Sequence, residues 1–374
     1  MINTDICIIG AGPAGLAASI EAAKSGAKVL VIDENFKVGG QLFKQIHKFF
    51  GSREHQAGVR GINIGTKLLE EATELGAEFR LRTVAYAIFE ENVIGIYDLD
   101  KQELGLVKAK KIIVATGAIE NTVPFKGCTK PGVMGAGAAQ TLMHIYKVQP
   151  GQKVLMVGSG NVGLIASYQM MQAGVEVCAI VEAAPNISGY QVHARKLLRA
   201  GVPIYTSTTI KETLGEKSVE GAIICSLDDK FQMIEGTEKK LDVDTVCIAV
   251  GLSPLIELLQ MAGCELTFVK ALGGFIPKHN KVLQTSNADI YIAGDVSGVE
   301  EASSAMEEGR IAAIDACEKA GFIDSKSAKE RLEICQKRLD DLRQGPFGER
   351  RKQAKESVFA NAFELEISKE EGMV

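Results

Sequence analysis

The chain contains no tryptophan, and no two of its eight cysteines lie closer than 17 positions. That spacing leaves no CxxC or CxxxxC dithiol, no cysteine run for an iron–sulfur cluster and no zinc-ligand pattern. Cys7, Cys178 and Cys247 fall inside apolar strand patterns and read as reduced core residues. Positive charge is not in excess either. Lysine and arginine number 42 against 47 acidic residues, a net charge of −5, so no basic footprint points to nucleic acid or to an anionic membrane. No apolar run approaches the roughly 18 residues that argue for a membrane span. Met1 to Asp5 runs into a strand without a basic, hydrophobic or cleavable leader. The expectation is a soluble, cytoplasmic protein that acts on small molecules without nucleic-acid or membrane partners.

At about 150 residues per domain, the 374 residues suggest two or three domains. The 39 glycines cluster after apolar runs, where glycine permits tight turns and close backbone approach to a ligand. Asp5 to Ile9 is a short apolar strand. It leads into Gly10-Ala11-Gly12-Pro13-Ala14-Gly15, a helical pattern to Ser25-Gly26, and a second strand from Lys28 to Ile32 that closes on Asp33-Glu34. The same unit recurs. Lys153 to Val157 leads into Gly158-Ser159-Gly160-Asn161-Val162-Gly163, a helix to Ala173-Gly174, and a strand from Glu176 to Val181 that closes on Glu182. From first glycine to closing acid the spacing is 23 residues in one copy and 24 in the other, which fits a dinucleotide fingerprint. In such a motif Gly10 and Gly158 allow the tight turn, Gly12 and Gly160 let the backbone approach a pyrophosphate, and Gly15 and Gly163 let the helix pack close to the sheet. The helix N-terminus binds the anion, and Asp33 or Glu182 accepts hydrogen bonds from a ribose.

Between the copies, Lys110 to Thr116 is an apolar strand ending in Ala115-Thr116-Gly117, and Pro124 to Gly137 reads as a linker. Ser207 to Glu238 alternates in a way that predicts antiparallel strands finishing the second unit. Thr245 to Gly251 and Ile290 to Ala293 look like a return to the first unit. The latter strand delivers Gly294-Asp295, and an amphipathic helix is expected from Glu301-Ala302 through Ala320. The fold expectation is therefore α/β: two Rossmann-like three-layer dinucleotide-binding domains, the second inserted in the first, plus a helical C-terminal tail.

With Gly39-Gly40-Gln41 added to these motifs in their order, the chain resembles the two-dinucleotide-binding flavoproteins that include thioredoxin reductase and glutathione reductase. The resemblance spans about residues 4 to 320. It implies FAD in the first domain (1–120 and 248–323) and NAD(P)H in the second (121–247). The implied FAD contacts are Gly10, Gly12, Pro13, Ala14, Gly15, Asp33, Glu34, Gly40, Gln41, Val84, Thr116, Gly117, Gly294, Asp295, Glu301 and Ala302, with Asp295 accepting from the ribityl chain. The implied NAD(H) contacts are Gly158, Gly160, Asn161, Gly163, Glu182 and Gly251. No catalytic residue and no metal site is assigned. The paired cysteines of disulfide-reducing members are missing from Gly39-Gly40-Gln41 and from the region of Gly135, so thiol–disulfide activity is not expected. Gly117-Ala118-Ile119-Glu120, Pro131 to Met134, Gly137 to Gln140, Ala262 to Leu266 and Gly273 to Pro277 are similar to the α-type subunits of opine, hydroxyproline and proline dehydrogenases and of bacterial sarcosine oxidase. That likeness implies an electron-relay subunit whose partner is a β-type flavoprotein dehydrogenase or an iron–sulfur protein, in a hetero-oligomer. Many such α-type chains carry a cysteine-rich C-terminal module that this chain lacks.

Glu182 favours NAD over NADP, because a carboxylate binds a ribose diol but repels a 2′-phosphate and Ala183-Ala184-Pro185 offers no arginine. Arg195 and Arg199 lie further along. His47 and His55 line the flavin site or a second cofactor's phosphate, or sit on a surface loop; His144, His193 and His279 carry no motif. Residues 324–374 form a distinct charged segment, with 22 of 51 residues charged against 24% for the chain. Ser327-Ala328-Lys329-Glu330 reads as a capping box. Leu332, Cys335, Leu339 and Leu342 make one apolar seam, which Gly345-Pro346 ends. The seam suits either a partner subunit or the chain's own domain, and Phe347, Val358, Phe359 and Phe363 are apolar anchors. Removal of residues 326–374 is expected to spare flavin binding. Three readings stay open: the relay subunit, a stand-alone NADH:acceptor flavin reductase, and a scaffold holding an adenine nucleotide such as ATP, because every candidate ligand presents ADP to the same cradle.

Overall fold

The computed structural model describes residues 1–49 and 52–370, with side chains described to residue 359 except at 346 and 347. Phe347 and Phe363, expected as anchors, lie outside the described side chains. The chain divides into one compact unit made of residues 1–119 and 253 onward, and a second made of Glu120–Leu252.

In the first unit, runs such as Ile6-Cys7-Ile8 are buried without interruption, because their strand is covered on both faces. The sheet runs in the order Glu78–Arg80, Val29–Ile32, Ile2–Ile9, Glu103–Val114, Val93–Asp98, Thr83–Phe89, with Ile290–Ile292 also paired to Glu103–Val114. The central pairings are parallel, so the strands Ile2–Ile9, Glu103–Val114 and Ile290–Ile292 all end at one edge. There they deliver Gly10, Ala115 and Gly294, in keeping with the rule that open α/β sheets bind ligands at the carboxyl ends of their strands. The helix Pro13–Lys24 follows the first glycine turn. It packs against the helix Ala302–Lys319 so closely that a Cβ on Gly309 would stand 2.1 Å from the Ala14 carbonyl oxygen.

The sequence pattern predicts an amphipathic helix from Glu301-Ala302 through Ala320; the helix is Ala302–Lys319, and from Ser303 to Cys317 every residue except Arg310 is buried. The cause is the next helix, Ser325–Leu342. Its Ala328, Cys335 and Leu339 join the main core, and Leu332 packs against it, so the apolar seam is covered by its own unit. Arg331 fastens it further, donating to Ser25 Oγ and pairing with Glu21 on the Pro13–Lys24 helix. The start of this helix also differs from the expected capping box. Asp324 is the N-cap, accepting from Lys326 N and Ser327 N, and Ser327 lies inside the first turn. The helix ends at Leu342, and Gly345-Pro346 opens a further helix, Gly345–Glu370, because proline suits a first turn.

The second unit is built on a parallel sheet in the order Ile204–Tyr205, Glu176–Val181, Lys153–Val157, Thr245–Ile248, Val133–Gly135. The strand Thr245–Ile248, read from sequence as a return to the first unit, is hydrogen-bonded inside this sheet. Its apolar run is the same for either sheet, so composition alone could not assign it. Likewise the end of the expected linker, Val133–Gly135, is a strand. Thr208–Leu214, Gly221–Ser226 and Lys239–Leu241 form the expected antiparallel sheet. Among the described residues, no helix is long and apolar enough to cross a membrane.

Candidate functional site

The two glycine turns are built alike. Gly10 and Gly158 adopt φ of 107° and 106°, and a Cβ on either would stand 2.3 or 2.2 Å from the carbonyl oxygen of Ala115 or Ala249. On Gly15 and Gly163 a Cβ would meet the carbonyl of Gly10 or Gly158 at 1.9 or 2.3 Å. Those four glycines are required by the protein's own backbone. The middle glycines are not. A Cβ on Gly12 would meet only Gly40 Cα, at 4.0 Å, and one on Gly160 would meet nothing. The space beside each middle glycine is free of protein at the mouth of a helix. Gly12 and Gly160 are also the N-caps of Pro13–Lys24 and Asn161–Gln172, so neither helix has a side-chain cap, and neither has an acidic residue in its first turn. First-turn N–H groups are therefore left to a group outside the chain, with the positive end of the helix behind them. The shape and polarity fit a dinucleotide pyrophosphate in both units.

The closing acids fix these turns. Ala11 N–H donates to Asp33 Oδ2 at 2.7 Å, while Asp33 Oδ1 accepts from Asn35 N and Nδ2 at 2.8 and 2.9 Å. Glu182 Oε2 accepts from Ser159 N and Oγ and from Ser188 Oγ, and Oε1 accepts from Ala184 N. Burial pushes the Glu182 carboxyl up, but these hydrogen bonds outweigh it and hold the group below its ordinary range. It is a fixed anion rather than a solvated surface acid. Asn161 Oδ1 accepts from Tyr190 N at 2.8 Å, and Asn121 N donates to Gly251 O at 3.0 Å.

The other expected first-unit residues gather around the same strand ends. Gly39 N donates to Ala11 O, and Gly40 comes so close to Gly12 that a Cβ on it would stand 2.8 Å from Gly12 Cα. Glu34 and Gln41 are exposed, and Val84 is half-buried, one residue beyond Thr83, whose N–H donates to Asp33 O. Thr116 Oγ1 donates to Leu255 O, and Gly117 O accepts from Leu255 N. Glu301 is the exposed N-cap of the helix that begins at Ala302.

Asp295 lies half-buried in the turn Gly294–Ser297, with Oδ1 accepting from Glu300 N at 3.1 Å. Desolvation pushes its carboxyl up to about 6, against the hydrogen bond from Glu300 N and the charge of Lys355. Beneath the turn is Glu308, 2% exposed. Its Oε2 accepts from Gly294 N at 3.0 Å and Ser297 Oγ at 2.8 Å. Its Oε1 accepts from Arg343 at 2.7 Å and from Lys355 Nζ at 2.9 Å. Burial alone would raise this carboxyl; Lys355 and Arg343 hold it well below the usual carboxylate range. Arg343 also pairs with Glu300, and Lys355, 1% exposed, donates to Ser297 Oγ at 2.5 Å. The tail therefore reaches the Asp295 turn, and removal of residues 326–374, expected from sequence to spare flavin binding, would take away both cations that pair with Glu308.

His55 is not on a surface loop. It is 2% exposed, Nε2 lies 2.9 Å from Glu307 Oε1, Nδ1 lies 3.0 Å from Ser52 Oγ, and Glu307 also pairs with Arg310. His47 stacks on Phe49. His279 is buried beside the tail, with Nδ1 bonded to Pro277 O at 2.8 Å and its ring edge-on to Phe359; burial and then the charge of Lys355 push it down to about 4. Sequence alone does not single out Glu307, Glu308, Arg343 or Lys355, although it holds one signal: Glu307 and Glu308 stand as adjacent acids between Ala305-Met306 and the apolar run Ile311 to Ile314, and buried acids need partners. The eight thiols are free, and burial pushes Cys7, Cys247 and Cys335 up to about 12. Among the described residues no cluster of His, Cys, Asp and Glu could hold a metal.

Comparison with known proteins agrees with this geometry. The profile of the pyridine nucleotide-disulphide oxidoreductases matches residues 4–309. An opine oxidase subunit of Rhizobium meliloti (strain 1021) is 30% identical over 331 residues, covering 83% of this chain and 70% of that protein. The alpha subunit of the sarcosine oxidase of Corynebacterium sp. (strain P-1) is 25% identical, covering 86% of this chain but only 33% of the relative. Among solved structures, T. acidophilum thioredoxin reductase superposes with a TM-score of 0.70 at 23% identity, covering 85% of this chain and 99% of that one. L-proline dehydrogenase from P. horikoshii superposes at 0.66 and 22% identity, covering 89% and 59%. The two-domain flavoprotein fold is shared, and the chain belongs to the pyridine nucleotide-disulphide oxidoreductase family, as an FAD-dependent oxidoreductase.

Proposed function

We propose that the first unit binds FAD, that the second binds NAD(H), and that the chain is the electron-relay α-type subunit of a heteromeric amino-acid or amine dehydrogenase, of the proline, hydroxyproline, opine or sarcosine kind. The observation that carries the nucleotide assignment is the open space at Gly12 and Gly160, kept beside uncapped helix N-termini in both units. Gly10, Gly12, Pro13, Ala14 and Gly15 would hold the FAD pyrophosphate, Asp33 its adenosine ribose and Asp295 its ribityl chain. Glu34, Gly40, Gln41, Val84, Thr116, Gly117, Gly294, Glu301 and Ala302 would border the same ligand. FAD held by these residues would supply two-electron redox chemistry. The Ala302–Lys319 helix would direct its positive N-terminal end at the charge that gathers there on reduction. Gly158, Gly160, Asn161, Gly163, Glu182 and Gly251 would hold NAD(H). The reading as one component of an assembly is supported by relatives that are themselves named as components, of an opine oxidase and of a sarcosine oxidase. The partner would be a β-type flavoprotein dehydrogenase subunit, with an iron–sulfur protein as a further electron acceptor.

Purified protein is expected to be yellow or to become so with FAD. Gly12→Val should weaken FAD binding about a hundredfold or more, about 2.7 kcal/mol, with the melting temperature close to that of the parent, because the protein leaves that side open. Gly15→Val should instead unfold the unit. A chain that binds ADP but no flavin would establish the scaffold reading.

Flavin reduction at limiting coenzyme is expected to be at least about tenfold faster with NADH than with NADPH, a discrimination of about 1.4 kcal/mol, and Glu182→Ala should erase it. Equal rates for the two coenzymes in the parent would remove the NAD assignment.

Asp295 should carry a stability cost that serves ligand binding. Its folded carboxyl, at about 6, binds a proton more tightly than an ordinary unfolded aspartate at 3.8, so stability is lost as pH rises from about 4 to about 6 and stays lost above. Asp295→Asn in flavin-free protein is expected to gain about 1–2 kcal/mol at pH 7.5 and nothing near pH 4, while weakening FAD binding. Melting at both pH values, with and without FAD, checks both signs.

The isolated chain is expected to oxidise no amine or amino acid at enzyme-like rates. Turnover of proline, hydroxyproline, an opine or sarcosine at about 1 per second or faster by the lone chain would refute the relay reading.

A further inference from the structure

The turn that carries Asp295 does not stand by its own hydrogen bonds. Gly294 N and Ser297 Oγ are both fastened to one oxygen of Glu308, and Ser297 Oγ lies 2.8 Å from Gly294 O within the turn. Glu308 lies on the first-unit helix, yet both of its cationic partners, Arg343 and Lys355, come from beyond residue 342. Arg343 divides its charge between Glu308 and Glu300, whereas Lys355 binds Glu308 and Ser297 together, so it alone touches both the carboxylate and the turn. Lys355 is led there by packing: Val358, one turn further along, is fully buried with Leu272 and Ile276, and Phe359 sets its ring against His279. A lysine ammonium is enclosed at such cost only where carboxylate and hydroxyl partners take its protons.

We propose that the Gly345–Glu370 helix is a clasp on the Asp295 turn, with Lys355 as the positioning residue that sets, through Ser297 and Glu308, how tightly the chain holds the part of FAD beyond its ADP half. The proposal rests on the FAD reading of the first unit. Removal of the ammonium leaves Glu308 with half its counter-charge, and the turn it fastens loses its fixed register. The glycine cradle and Asp33, which address only the ADP half, depend on other residues. Lys355 therefore acts on one half of the ligand and not on the other.

The test is titration of the full-length, flavin-free chain with FAD and, separately, with ADP. Lys355→Met is expected to weaken FAD about tenfold or more while leaving ADP within about twofold of the parent. If that variant fails to hold ADP because its buried carboxylate unfolds the unit, Lys355→Met combined with Glu308→Gln removes both charges. The pair should restore ADP binding, with FAD still about tenfold weaker. FAD affinity within about twofold of the parent in a variant that holds ADP overturns the clasp and leaves the FAD reading intact, as does an equal loss of FAD and ADP in a folded variant. A parent chain that binds ADP but no FAD overturns the FAD reading, and the clasp with it.

Discussion

A single buried carboxylate, Glu308, ties together parts of the first unit that are distant in sequence. Its place follows from backbone contact: Gly309 lets the Ala302–Lys319 helix lie against the Ala14 carbonyl, and that approach puts Glu308 directly under Gly294. An unpaired carboxylate there would cost several kcal/mol, and breaking a buried pair costs about 3–5 kcal/mol. The helix can therefore keep its acid only if cations arrive from elsewhere. Arg343 and Lys355 supply them, which obliges the chain to continue past the last flavin-fold helix and to fold back onto it. The tail's charge richness is thus partly internal: some of its basic residues complete the core rather than decorate a surface.

The two glycine cradles divide labour between protein and ligand in the same way. Outer glycines answer to backbone carbonyls, with Cβ distances far inside contact, whereas a Cβ on the middle ones would meet only Gly40 Cα, at 4.0 Å, or nothing. A position where side chains would fit but glycine stands, twice, beside helix donors left uncapped, is what space reserved for an anion looks like. The closing acids add a second duty. Asp33 and Glu182 each accept the N–H of the residue after the first glycine, Ala11 or Ser159, so the carboxylates proposed to face a ribose also hold the glycine loop proposed to face the phosphates. Loss of either acid would loosen both halves of its cradle.

Much of this was legible in the sequence, because cradles are local. A strand, three glycines, a helix and an acid lie close together along the chain, and their spacing alone carries the geometry. The strand that delivers Asp295 was legible from its apolar run, whereas the role of that acid came only from the family resemblance. The strand Thr245–Ile248 was not: its apolar run has no mark to say which parallel sheet it enters. The tail failed for a different cause. Ser327 and Glu330 form a credible capping box, but Asp324 starts the helix three residues earlier by accepting from Lys326 N and Ser327 N, and the seam through Cys335 and Leu339 fits its own core as well as any partner. Arg343 and Lys355 look like ordinary surface cations until Glu308 is placed. Long-range charge pairing has no period and no motif, so it becomes visible only when the backbone brings both ends together.

The relay proposed for this chain needs a cofactor held rigidly enough that its reduction is governed by fixed charges rather than by solvent. The first unit surrounds the Asp295 turn with Glu300, Glu308, Arg343 and Lys355 in a nearly dry setting. At such depth each charge acts with little screening. Glu300 and Glu308 are ion-paired to these cations, whereas Asp295 is half-buried beside them; desolvation first, and then the neighbouring acids, raise its carboxyl. Stability is thereby lowered at the position proposed to meet a ligand hydroxyl. The tail, far from being an addition to a finished flavoprotein, supplies the charges that keep this site poised.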